Sequence, residues 1–62
     1  MTNLKILHSK FIEMFPLLAE EVGGYKAGKE AGSIFLLSKG PTSRVLYKFT
    51  YTSDSKWSLE RF

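Results

Sequence analysis

The sequence contains no cysteine, only one histidine and no apolar run long enough to span a bilayer. The lack of cysteine excludes a disulfide framework and any thiolate zinc site, and His8 has no second imidazole with which to share a metal. Lys5, His8, Lys10 and Glu13 interrupt the N-terminal apolar residues, so that segment reads as neither a secretion signal nor a membrane anchor. Repeats, linkers and low-complexity stretches are also missing. The expectation is one soluble, cytoplasmic domain over residues 1–62, with no cofactor, no metal and no membrane partner.

Motifs for catalysis are equally scarce. The segment Ser38-Lys39-Gly40-Pro41-Thr42-Ser43 mixes glycine, lysine and hydroxyls, but it lacks phosphate-loop spacing and joins two strands, so it reads as a hairpin connection. Glu20 and Glu21 are neighbours that project about 100° apart on a helix and do not converge on one substrate. His8 is the sole candidate base and falls at the edge of an apolar stripe, which favours a core-edge histidine. These absences point away from an enzyme and towards binding.

What is present is aromatic and basic. Five Phe, three Tyr and one Trp in 62 residues suit a chain that buries only about 60% of its unfolded surface and must build its core from few, large side chains. The formal net charge is +3, divided unevenly: residues 1–24 carry two lysines and three glutamates, while residues 25–62 carry seven basic and three acidic groups. The positive potential belongs to the C-terminal part and would attract an acidic protein surface or a nucleic acid.

From an N-cap at Asn3, the residues Leu4, Leu7, His8, Phe11, Phe15, Leu18 and Val22 follow at helical spacing. Pro16 removes a donor and crowds the carbonyl of Ile12, so a kink is expected there. A second helix opened by Pro16 is the alternative; the unbroken phase of the stripe favours one bent helix ending at Gly23-Gly24. Tyr25 to Gly32 has no sustained period and reads as a loop or a short irregular edge strand. Ser33 to Ser38 is an apolar strand expected to be covered on both faces, and Lys39 to Ser43 is the turn after it.

Arg44 to Thr52 alternates, with Val45, Tyr47, Phe49 and Tyr51 on one side and Arg44, Leu46, Lys48 and Thr50 on the other; Lys56 to Phe62 alternates as well. A three-residue connection, Ser53-Asp54-Ser55, sets Tyr51 opposite Trp57, Phe49 opposite Leu59, Tyr47 opposite Arg61 and Lys48 opposite Glu60. A one-residue slip would exchange the faces. The expected fold is therefore α+β: one Pro-kinked N-terminal helix packed on the aromatic face of a three-stranded antiparallel meander, in the order αβββ.

One helix cannot cover both faces of a sheet. The open face, with Arg44, Leu46, Lys48 and Lys56 and with Phe35 or Leu37 behind them, is one candidate partner surface. The back of the helix is another, since Ile6 and Leu17 would fall within about 20° of each other on an unbroken helix. The leading expectation is a protein partner, bound as by an inhibitor, adaptor or regulatory accessory protein, and either apolar surface could serve a homodimer. Size alone likens the chain to small accessory proteins of phages and mobile elements, inhibitors of host defence among them. The alternative is nucleic acid held by Lys26, Lys29, Lys39, Arg44, Lys48 and Lys56. Single-strand binding needs stacking aromatics and cations on the same face, and the register places Tyr47, Phe49, Tyr51 and Trp57 on the covered side.

Overall fold

A computed structural model describes residues 4–62, so the proposed cap at Asn3 lies outside the described residues. Two helices, α1 (Leu4–Met14) and α2 (Pro16–Ala19), precede four strands: β1 (Val22–Ala27), β2 (Ser33–Ser38), β3 (Val45–Ser53) and β4 (Lys56–Arg61). The strands form one antiparallel sheet in the order β1-β2-β3-β4. The class is α+β as expected, but the meander has four strands rather than three.

The single bent helix is replaced by two. A residue preceding proline is pushed out of the α region by the proline ring, and Phe15 takes φ −131° and ψ 65°. Its N–H still closes the last turn of α1 on the carbonyl of Phe11 (2.8 Å), after which Pro16 occupies the first position of α2, where a missing donor costs nothing. The apolar stripe keeps its phase because Phe15 and Leu18 both still pack against the core. Val22, Gly23 and Gly24 do not cap a helix; they open β1.

The demand for β1 comes from its neighbour. In β2, Ser33 is buried and Phe35 and Leu37 are half-buried, and their backbone groups, which point away from β3, must find partners inside the protein. The residues from Val22 to Ala27 supply them, pairing Lys26 with Phe35 and Gly24 with Leu37 around an irregularity between Val22 and Gly24, and the Gly28 N–H continues the ladder to the Ser33 carbonyl at 3.0 Å. The β1–β2 connection is held by Ser33, a buried hydroxyl that donates to the Glu30 carbonyl at 2.8 Å and accepts from the Glu30 N–H at 3.3 Å. Two glycines make this turn. A β-carbon on Gly28 would lie 2.2 Å from the Ser33 Oγ, and Gly32 has φ +81° with its carbonyl taking the Tyr51 N–H at 2.9 Å.

The β3–β4 register is the one the alternation required: Tyr51 with Trp57, Phe49 with Leu59, Tyr47 with Arg61 and Lys48 with Glu60. The connection itself is tighter than three residues. Ser53 pairs with Lys56, and the ladder slips between Tyr51 and Ser53, which is the extra residue of a β-bulge.

Leu7, Phe11, Ile34, Leu36, Tyr47 and Phe49 form the core, with Phe11 and Phe49 completely buried. The rings of Phe11 and Phe49 meet edge to face at 5.7 Å, and Phe15 bridges outward to Phe49 at 6.1 Å and Trp57 at 5.4 Å. α1 lies over β1, β2 and β3. Among the described residues no second layer covers the opposite face, so β2 is not enclosed on both sides as its apolar run suggested: Ile34 and Leu36 enter the core, while Phe35 and Leu37 stay half-buried on the open side.

Candidate functional site: the open face of the sheet

Strand alternation fixes which side chains share the open face. Lys26, Phe35, Lys48 and Glu60 stand opposite one another in a row across all four strands. Beside that row lies Leu37 on β2, opposite Val45 across a slip between Leu36 and Leu37 that leaves Leu46 without a β2 partner and packed against the core, and Phe62 follows β4 with its N–H bonded to the Leu46 carbonyl at 3.0 Å. The Phe62 ring folds back over the face and meets Phe35 edge to face at 6.2 Å, yet it remains 65% exposed. Lys26 reaches over the other side of Phe35, with its ammonium 5.7 Å from the ring centre, a cation–π contact.

The surface is thus an apolar strip of Phe35, Leu37 and Phe62 with a charged margin of both signs. Lys48 is bound to Glu30 at 2.9 Å, rather than to the cross-strand Glu60. The Glu30 hydrogen bond raises the Lys48 ammonium above the usual lysine range, with the charges of Glu30 and Glu60 adding to it. Much of its charge is therefore answered within the protein. Leu46 is half-buried and touches the core. Arg44 is exposed at the end of the β2–β3 turn, where its N–H donates to the Ser38 Oγ at 2.9 Å. Lys56 is exposed on β4, and Lys29 and Lys39 are exposed in the turns at opposite ends of β2.

The second surface is differently made. Ile6 is 64% exposed on α1 and Leu17 is 78% exposed on α2, but the break at Phe15 removes the common helical angle that related them. Ile6 lines a shallow depression with Lys5, Ser9, Lys10, Glu13 and Tyr51. Lys10 closes that depression against the sheet by pairing with Asp54 at 3.2 Å and lying 5.2 Å from the centre of the Tyr51 ring. The Tyr51 hydroxyl donates to the same Asp54 carboxylate. This bond, followed by Lys10, holds the Asp54 carboxyl below the usual carboxylate range, and the hydrogen bonds that Asp54 accepts raise the Tyr51 phenol and the Lys10 ammonium.

His8 stacks on Tyr25 with ring centres 4.3 Å apart, joining α1 to β1 at the edge of the core. Glu21 accepts a hydrogen bond from the Tyr47 hydroxyl at 3.2 Å. Burial and this carboxylate raise the Tyr47 phenol. Glu20 and Glu21 therefore do not act as a pair. Among the described residues no group of three or more His, Cys, Asp or Glu side chains is placed to hold a metal ion, and no helix is long and apolar enough to cross a membrane.

Tyr47 and Phe49 are buried on the helix side as the register required. Sequence reasoning offers Phe35 or Leu37 for the open face and sets Phe62 in phase with Glu60; what it misses is that Phe35 and Leu37 both face outward and that Phe62 packs on Phe35. The signal was present in the parity of SIFLLS: with Ile34 and Leu36 inward, Phe35 and Leu37 must face outward. No family model matches this chain, nor does any curated protein or solved structure.

Proposed function

We propose that this chain is a non-catalytic binding protein that docks on a larger protein partner through the open face of its sheet, acting as an inhibitor, adaptor or regulatory subunit. The observation that carries this reading is the partly exposed strip of Phe35, Leu37 and Phe62 on a sheet whose other face packs against α1. Apolar surface with aromatic residues at its centre and charges of both signs at its margin is the composition of protein–protein interfaces. Lys26, Arg44, Lys48 and Lys56 set the sign of the complement, an acidic or mixed surface. Charge reversal of Arg44 and Lys48 together tests this. Capture of the partner should be lost while thermal unfolding changes little. If instead Ile6→Asp with Leu17→Asp abolishes capture and the Arg44/Lys48 variant retains it, the helix back is the working surface.

One observation supports a second reading. The grouping of Lys26, Phe35 and Phe62 does put aromatic rings and a cation on the same face, as single-strand nucleic-acid binders require. The neutralisation of Lys48 by Glu30, and the presence of Glu60 in the same row, weigh against it. Binding of a mixed-sequence single-stranded oligonucleotide, titrated with salt from about 50 mM, separates the two, because phosphate contacts give a steep log–log slope. An affinity that falls steeply with salt supports nucleic acid; the protein reading expects no binding at the lowest salt.

A further inference from the structure

We infer that the chain pairs with a second copy of itself through the free edge of β4, in antiparallel register about a two-fold axis at Ser58. The sheet has two edges, and they differ. β1 is interrupted by the irregularity between Val22 and Gly24 and sits under α1, and such breaks blunt an edge against pairing. β4 runs without interruption from Trp57 to Arg61 opposite β3. It carries Trp57 at 44% exposure on the helix face, and Phe62 at 65% exposure follows it on the open face.

The hydrogen bond from Phe62 N–H to Leu46 O fixes the phase of the ladder. Even-numbered residues of β4 bond inward to β3, so Trp57, Leu59 and Arg61 direct their N–H and C=O groups outward. A second β4 can meet them only in registers that pair odd residues with odd. With the axis at Ser58, Trp57 and Leu59 of each copy exchange backbone bonds and their side chains meet on the helix face. On the open face Lys56 stands opposite Glu60 of the other copy, twice.

Neighbouring registers lose this. An axis at Trp57 sets Asp54 against Glu60, an axis at Glu60 sets that carboxylate against itself, and an axis at Leu59 leaves Glu60 opposite Ser58. Like charges directly opposed are destabilising and opposite charges stabilising, so the edge is self-complementary in one phase. A two-fold axis normal to the sheet keeps both helices on one side, and α1 packs chiefly over β1 to β3. The product is a continuous eight-stranded sheet whose two open faces join into one surface. This pairing does not depend on what that surface binds.

The natural absence of cysteine makes the test direct. Ser58→Cys should form a disulfide-linked dimer under mild oxidation, faster than Leu59→Cys and much faster than Ser43→Cys in the distant β2–β3 turn. Sedimentation of the cysteine-free protein should show a concentration-dependent dimer. Lys56→Glu or Glu60→Lys alone should weaken self-association by about tenfold, because two pairs turn repulsive. The double exchange should restore it. Circular dichroism of each variant confirms the fold. A monomer at every concentration, or equal oxidation rates at positions 58 and 43, overturns the inference, and fastest oxidation at position 59 overturns the register.

Discussion

Phe49 and Phe62 are chemically identical and structurally opposite, which makes their truncation a sharp test of where the core ends. Phe49 is completely buried, with Phe11 at 5.7 Å, Phe15 at 6.1 Å and Tyr51 at 6.0 Å. Phe49→Ala should cost about 3–5 kcal/mol, the transfer of the ring plus the cavity left behind. A domain of this size has in total only about 3–9 kcal/mol, so the variant should be largely unfolded or retain a small fraction of its stability. Phe62 is 65% exposed. The third of its surface that is covered, roughly 70 Å² of about 200, corresponds to less than about 2 kcal/mol at ~25 cal/mol per Å². Thermal and urea unfolding followed by circular dichroism, with Trp57 fluorescence as a second probe, reads both. Phe62→Ala should fold cooperatively with a modestly lowered midpoint, and Phe49→Ala should not. If the two losses are equal, the open face is part of the core and is not a free docking surface.

Three further outcomes follow from particular contacts. Gly32→Ala should lower stability by about 1 kcal/mol or more, because alanine is strained at the positive φ found there, whereas Gly24→Ala, with open space around it, should be far milder in the same unfolding assay. The Asp54 carboxyl is depressed by the Tyr51 hydroxyl and Lys10, so its contribution is complete above about pH 4 and is lost as pH falls through the lower folded value. Asp54→Asn should therefore flatten the acid limb of a stability–pH profile; an unchanged limb would refute the link between α1 and the β3–β4 turn. On the alkaline side, Tyr47, Tyr51, Lys10 and Lys48 are all raised. Their stabilisation is whole below about pH 10 and is lost as pH climbs through the folded values, a decline that Tyr47→Phe should lessen.

Local pattern made part of this structure legible. The alternation from Val45 to Tyr51 and from Trp57 to Arg61, together with the requirement that both faces agree, determined the β3–β4 register residue by residue. The stripe from Leu4 to Leu18 identified the helical region and the side that meets the sheet. What stayed hidden was non-local. β1 has two glycines and no clear period, and it is a strand because the buried backbone of β2 requires a partner. The break at Phe15 turned on a competition between a continuous stripe and the constraint proline puts on its predecessor, and the latter won. On the candidate surface, Lys48 and Lys56 could be placed by parity alone, whereas the slip between Leu36 and Leu37 sets Arg44 opposite Ser38 and off that parity. The packing of Phe62 on Phe35 and the capture of Lys48 by Glu30 depend on how the residue after β4 and a distant turn fold over the sheet.

The proposed docking role is tested most directly by placing a photo-crosslinking phenylalanine analogue at Phe62 on the open face and, separately, at Leu17 on α2, and irradiating the producing cells. The account predicts a discrete protein adduct from position 62 that disappears when Arg44 and Lys48 are reversed to glutamate, and none from position 17. An adduct from position 17 alone, or one from position 62 that nuclease removes, would contradict it.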